Sequence, residues 1–323
     1  MLRTGLCDLL GIDTPIVLAP FGPWAQLDLA AAVSNAGALG SLGTALRSPD
    51  ELRAQWSLLR ELTDRPFAIN HTGRPFNDEA FTATLDFAPR VISFHMGVSA
   101  QLIARAHDHG ILWMQTVGDA ATADAALSAG ADVLIAQGGE AGGNAGSIST
   151  LVLVPLVVDL AGQVPVVAAG GIADGRGIAA ALALGAKGVS LGTRFLATHE
   201  MTIDQAWKNR IVAADALDAV KVPHAERVMP PFTLPQTGAP FTPRSLRTPL
   251  IEQLETDPDS VRPDHAGPQL VQAIRAGRGH QFLPFTGQSA GLVHDIVPAA
   301  ELLDRLVTET VEALRGANSA VAS

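Results

Sequence analysis

Hydrophobic positions along the chain fall into short unbroken runs, separated by stretches in which apolar residues recur every three or four positions. Short apolar runs bounded by glycine or proline predict strands buried on both faces, and the wider spacing predicts helices buried along one stripe. The clearest instance runs from Val164 to Glu200. Val164 to Ala169 reads as a buried strand closed by Gly170-Gly171. Asp174 can cap a helix from Gly175 to Leu184 that stops at Gly185, and Gly188 to Leu191 reads as a second strand closed by Gly192-Thr193. A strand–helix–strand of this length makes a right-handed crossover between parallel strands, so both glycine turns open at the same sheet edge. Bare backbone N–H groups and a helix N-terminus there can hold a phosphate. Glycines that merely let helix and strand pack closely would leave the same pattern.

The remaining chain repeats this unit. Strands are predicted at Ile16–Ala19, Leu39–Leu42, Phe67–Asn70, Val91–Phe94, Ile111–Val117 and Val133–Ala136. Helices are predicted near Leu27–Asn35, Pro49–Leu62 (with capping signals at Ser48 and Asp50), Asp78–Phe87, Ser99–His109, Asp119–Ala129 and Leu151–Leu160. Eight strands alternating with helices predict an α/β fold of the (β/α)8 TIM-barrel type rather than an open doubly wound sheet. In such a barrel the loops after strands seven and eight are the usual phosphate site. The first strand runs into APFGPW and lacks the GxGxxG of a dinucleotide fold.

After about His199 the pattern changes. A small, mostly helical cap over 201–279 follows the eighth strand, with a proline-rich stretch from Pro223 to Pro249 and short helices near Leu250–Glu255 and Pro268–Arg275. The organisation predicted is a barrel over 1–200, the cap over 201–279, and a return loop with a closing helix over 280–323. That helix runs from Val297 to Leu314, and Gly316 to Ser323 is expected to fray.

Composition narrows the partners. Hydrophobic residues make up 47% of the 323 residues and charged ones 17%, enough apolar surface for a barrel core. The net charge of −10 argues against nucleic acid and anionic membranes as partners. The longest apolar run, Leu151 to Val158, contains Pro155 and falls short of the ~20 residues that span a bilayer. Arg3, Asp8 and Asp13 break up the start of the chain, which does not read as a signal peptide. The single cysteine, Cys7, fits a reducing cytoplasm. No metal-ligand spacing stands out, so no metal is expected.

Several motifs together resemble one family. The run AAGGIADGRGIAAALALGAKGVSLGTRFLAT, the loop from Ala136 to Gly143, the opening APFGP, Phe67-Ala68-Ile69-Asn70, VISFHMG and the late TGQSAG are similar, in that order, to the nitronate monooxygenase (2-nitropropane dioxygenase) family of FMN-dependent barrels. FMN-dependent enoyl-acyl carrier protein reductases share these motifs. The resemblance implies one FMN per chain, a small-molecule substrate, and either O2 or NAD(P)H as the second substrate. Oligomeric state is left open, a homodimer being one option.

Site residues follow from the resemblance motif by motif. Phe21 and Gly22 match the first-loop segment that meets the flavin ring. Asn70 matches the flavin-contacting amide, and Gln137 and Gly142 match positions lining the flavin. Gly170, Gly171, Ser190, Leu191, Gly192 and Thr193 match the phosphate cradle. Gln115 faces the same barrel end and is a flavin candidate, with an ordinary polar layer residue as the alternative. Arg194 is expected to pair with phosphate or with Glu200, and Glu140 to hold the shape of its loop. The family's catalytic base, a histidine in GGH, is matched here by Asn144 of Gly142-Gly143-Asn144. An amide can hydrogen-bond a nitro or carbonyl oxygen but cannot take a proton in the working pH range. His71 and His95, following the third and fourth strands, are the candidate substitutes. The implied activity is oxidation of an alkyl nitronate with O2 to a carbonyl compound and nitrite. The alternatives are NAD(P)H-dependent reduction of an enoyl thioester or quinone, and a pathway-specific flavoprotein acting as an isomerase or without redox chemistry.

Overall fold

The computed structural model describes residues 2–24 and 26–321. Eight parallel strands carry the predicted alternation: β1 (Ile16–Leu18), β2 (Gly40–Gly43), β3 (Phe67–Thr72), β4 (Val91–His95), β5 (Leu112–Val117), β6 (Val133–Gln137), β8 (Val166–Ala169) and β9 (Gly188–Leu191). A short strand, β7 (Gly143–Ala145), lies in the loop after β6 and outside the barrel. The barrel order is β1-β9-β8-β6-β5-β4-β3-β2, and a parallel bridge between Val17 and Leu39 brings β2 back to β1. The sheet is therefore a (β/α)8 barrel. Between its strands run α2 (Leu27–Asn35), α3 (Pro49–Leu62), α4 (Asp78–Phe87), α5 (Ala100–Asp108), α6 (Ala120–Ser128), α7 (Thr150–Ala161) and α8 (Gly175–Ala183). Ser48 and Glu51 form a capping box on α3, and Asn77, Ser99, Asp119 and Asp174 accept from the first-turn amides of their helices.

Strand alternation sorts the residues into two layers. Val17, Leu39, Ala68, Val91, Met114, Val133, Ile135, Val167 and Ala169 pack inside the barrel. Ile16, Ile69, Ile92, Trp113, Leu134, Ala168 and Val189 face the helices. A helix not anticipated from the sequence, α1 (Gly5–Leu10), inserts Leu6, Cys7 and Leu10 into the inner cluster, so the buried Cys7 helps fill that core. Its six residues are too short for a helical period to be visible.

The segment after β9 begins with α9 (Thr193–Leu196) and contains α10 (Gln205–Ala213), α11 (Pro249–Thr256) and α12 (Pro263–Arg275). It also contains β10 (Ala219–Lys221) and β11 (Thr242–Leu246), which form an antiparallel sheet with β7 in the order β10-β11-β7. This segment is thus stitched to the barrel loop that carries Asn144, whose Cα partner is Pro243. The closing helix, α13 (Ala299–Val321), continues through the region expected to fray, and residues 322–323 of that expectation lie outside the described residues. None of the described helices is long and apolar enough to cross a membrane.

Candidate active site

Residues that alternate into the barrel end at its C-terminal rim as a polar ring. Two residues beyond Ala68 stands Asn70, two beyond Val91 stands Ser93 and then His95, and two beyond Met114 stands Thr116. Two beyond Ile135 stands Gln137, and Ser190 occupies the inward position of β9. All of them line one 190 Å³ cleft, together with Ala19, Phe21, Gly142, Asn144, Gly170, Gly171, Gly192 and Thr193. The same alternation corrects the reading of Gln115. Lying one residue past Met114, it faces the helix layer, accepts from Trp113 Nε1 at 3.0 Å, and donates to the carbonyls of Phe94, Gly97 and Thr116. Its amide is spent inside the scaffold, and Thr116 and Ser93 stand in the ring instead. Leu191 is likewise buried among the helix-facing residues and lies outside the cleft lining. Gly22 also lies outside that lining; its carbonyl accepts from Arg47 Nη1 at 3.0 Å behind Phe21.

At one end of the cleft the exposed chemistry is backbone. Gly170 (φ 97°) and Gly171 (φ 71°) take the left-handed turn after β8, and a Cβ at Gly170 would lie 2.9 Å from Gly138 O. The Thr193 hydroxyl oxygen accepts from Gly287 N at 2.9 Å, which leaves its hydrogen to donate into the cleft. The N-terminus of α8 is not available there, contrary to the sequence reading. Asp174 accepts from Gly177 N, and Glu309 of α13 accepts from Gly175 N at 3.0 Å. Arg194 is neither free for phosphate nor paired with Glu200. Its buried guanidinium binds Asp295 at 2.6 Å, while Glu200 accepts from Ala299 N at the start of α13.

Beside these turns, side chains hold the loop after β6. Glu140 accepts from Thr150 N at 3.0 Å and lies 2.8 Å from the Thr150 hydroxyl, which ties the loop to α7 as expected. Lys221 Nζ donates to the carbonyls of Ala145, Gly146 and Thr242, and Arg244 donates to Gly139 O and Ala219 O. Burial, reinforced by the neighbouring Arg244 charge, pulls the Lys221 ammonium down to about 8. Gly142 crosses the return loop so closely that a Cβ would meet Gly287 N at 2.7 Å.

The two histidines separate clearly. His71 Nδ1 lies 3.3 Å from Thr44 Oγ1 and Nε2 lies 2.8 Å from Thr84 Oγ1, and the ring lines a neighbouring cavity rather than this cleft. His95 lines the cleft, and its Nε2 is buried with no hydrogen-bond partner. Burial holds both rings neutral, at about 3 for His71 and about 4 for His95. Asn144 Oδ1 and Gln137 Oε1 are also buried without partners. Three orphaned polar atoms around one cleft mark a place that a polar ring fits. With the turns at Gly170 and Thr193 for a phosphate, the residues fit the FMN that the motifs imply. Asn70 spends its amide hydrogens on Ser93 O and Oγ and keeps its oxygen to accept.

His95, Asn144 and Phe285 line both this cleft and a second cavity of 820 Å³ beneath the cap. The walls of the larger cavity are mainly apolar, from Trp24, Met96, Val228, Met229, Leu270, Ile274 and Leu283. Among the described residues no cluster of acids, histidines or cysteines could hold a metal.

The family model described as nitronate monooxygenase matches residues 3–75 and 71–309. An octahydro-1H-indene-4-carboxyl-CoA dehydrogenase of Mycobacterium tuberculosis is 40% identical over 79% of this chain and 69% of its own. A nitronate monooxygenase of Paraburkholderia phytofirmans is 33% identical over 97% of each chain. Among solved structures, FabK of Thermotoga maritima superposes with a TM-score of 0.87 at 34% identity over 99% of both chains.

Proposed function

Because this chain belongs to the nitronate monooxygenase family, an oxidoreductase family, we propose that it is an FMN-dependent oxidoreductase of a large carbonyl substrate, with an acyl thioester the class that fits best. The observation that carries this reading is the 820 Å³ cavity meeting the cleft at His95 and Asn144. Pockets for whole drug-sized ligands span ~300–1,000 Å³, and a small alkyl nitronate would leave most of this one unfilled. The dehydrogenase relative acts, by its name, on a bulky carboxyl-CoA, which is a substrate of suitable size.

FMN, when bound, supplies the acceptor or donor of hydride. The chain's own contribution is to place a carbonyl oxygen where neutral donors meet it. His95 Nε2 is buried without a partner on the protein side and donates in its Nε2–H tautomer; Asn144 adds the N–H donors of its amide, while its unpartnered Oδ1 accepts. A carbonyl whose neighbouring carbons gain or lose hydride and proton develops negative charge on oxygen, and fixed donors in a dry site stabilise that charge. His95 at about 4 is a weak base at neutral pH, so its part is to hydrogen-bond this oxygen rather than to remove a proton unaided.

Oxidation of a preformed nitronate is the second reading. The observation favouring it is Asn144 itself, since a nitronate is already an anion and needs only hydrogen bonds. An anaerobic titration of the flavin-loaded protein separates the two. Bleaching of the flavin absorbance by NADPH or by a saturated cyclic acyl-CoA, with ethylnitronate inert, is the expected result. Bleaching by ethylnitronate alone would replace the thioester reading with the nitronate one.

A further inference from the structure

Four arginines line the 820 Å³ cavity, and they differ in what their guanidinium groups already hold. Arg47 gives both Nη atoms to the carbonyls of Gly22, Gly43, Pro23 and Trp24. Arg227 binds Asp259 and Val261 O, and Arg275 is exposed at the surface. Arg74 is 9% exposed, its Nε donates to Pro230 O at 2.6 Å, and its guanidinium carbon lies 4.3 Å from the centroid of the Phe232 ring. Among the described residues, neither Arg74 Nη atom has a hydrogen-bond or ion-pair partner. Glu226, whose charge acts on Arg74, lines the same cavity but makes no ion pair with it; its carboxylate is exposed and lies 3.7 Å from His224.

A guanidinium on a mainly apolar cavity wall, with two donors that the protein does not fill, favours an anion over the water that otherwise meets them. The Nε bond and the ring beneath fix the plane of the fork, leaving the two Nη atoms to face the cavity as a ready bidentate site. We propose that Arg74 receives an acidic group, phosphate or carboxylate, carried by the occupant of this cavity, whose apolar body lies against Val228, Met229, Leu270, Val271 and Ile274. The proposal rests on the reading of this cavity as the substrate cavity, and not on the identity of the flavin.

Calorimetric titration of the purified protein, with flavin content measured on the same sample, tests it. The probes are two acids with their neutral counterparts: coenzyme A with pantetheine, and decanoate with decanamide. At least one acid should bind about tenfold or more tightly than its counterpart. Arg74→Gln, whose amide can still reach Pro230 O, should weaken that acid by about tenfold or more and leave the neutral partner unchanged. Arg74→Lys keeps the charge without the fork and should fall between. A response to coenzyme A identifies phosphate, and a response to decanoate identifies carboxylate. Unchanged acid binding in Arg74→Gln, equal losses for acid and neutral probes, or wild-type protein that binds neither acid would overturn the proposal. A sample without FMN would sink the flavin reading and leave this comparison standing.

Discussion

Where β8 and β9 end, the cleft is walled by backbone from one stretch of sequence, Gly170 to Thr193; where β6 ends, it is walled by a loop that distant side chains hold in place. Lys221 and Arg244 reach that loop from the segment after β9, and Gln288 N reaches Glu140 O from the return loop. The first wall takes its shape from turn chemistry within one short stretch, although Gly287 N on Thr193 and Glu309 on Gly175 N also tie it from a distance. The second needs three segments far apart in the chain to arrive together. A backbone site tolerates drift in side chains, whereas a site pinned from a distance changes whenever the pinning segment changes. The departure from the family's histidine, at Asn144, lies on the pinned side.

The largest effect should come from breaking the backbone wall. Gly170→Ala puts a side chain at φ 97° and its Cβ 2.9 Å from Gly138 O, so it should cost ~1–3 kcal/mol in backbone strain and abolish flavin retention on gel filtration. Gly192→Ala sharpens the same point. Its Cβ would meet only Ala19 Cβ at 3.5 Å and Phe21 Cε1 at 3.7 Å, ordinary contacts. That variant should melt with the parent and still bind FMN about tenfold more weakly, if phosphate approaches this turn. Parental FMN affinity in Gly192→Ala would move the phosphate elsewhere.

A smaller effect should follow from unpinning the other wall. Arg244→Met leaves Gly139 O and Ala219 O without their donor, at a cost of about 2 kcal/mol. Amide exchange should then speed up across Gly143–Ala145 and stay unchanged across Gly188–Leu191. Faster exchange in both segments would show that the two walls form one cooperative unit and that the contrast between them is false.

Legibility in the sequence divides along the same line. The eight strands, their glycine turns and the helix caps are written in local residues, so apolar runs and capping signals expose them. Strands β7, β10 and β11 are three to five residues long and contain Gly143 and Pro243, so no alternation announces them; they exist because they pair with one another across the cap. The partner of Arg194 is Asp295, 101 residues away, and nothing near Arg194 points to it. Gln115 is a different kind of miss. Counting by twos from the apolar Met114 places Thr116 in the cleft and Gln115 outside it, a signal that the sequence did contain.

The smallest effect is expected from the change that the family resemblance would make largest, Asn144→His. A well-placed base is worth ~10²–10⁴ in rate, but only with a pKa near the working pH. Burial already holds His95, lining the same cleft, at about 4, and His71 behind it at about 3. A second imidazole in β7, half-buried beside His95 at the same cleft, would also be partly desolvated, and its neutral form would likewise be favoured. The sign is then fixed: the new base is active when deprotonated, so its contribution rises through a low pKa and is flat across neutral pH. A base that weak should raise nitroethane oxidation by less than about tenfold, with ethylnitronate oxidation nearly unchanged. The informative quantity is the ratio of the two rates in parent and variant, followed from pH 5 to pH 9. A gain of ~10² or more that switches on near pH 7 would mean that position 144 sits in a wetter, more polar setting than its neighbours. The nitronate reading would then overtake the thioester one. A parent that already oxidises nitroethane as fast as ethylnitronate would instead make His95, the cleft-facing ring with an unpartnered nitrogen, the proton acceptor, and His95→Gln the next variant to measure.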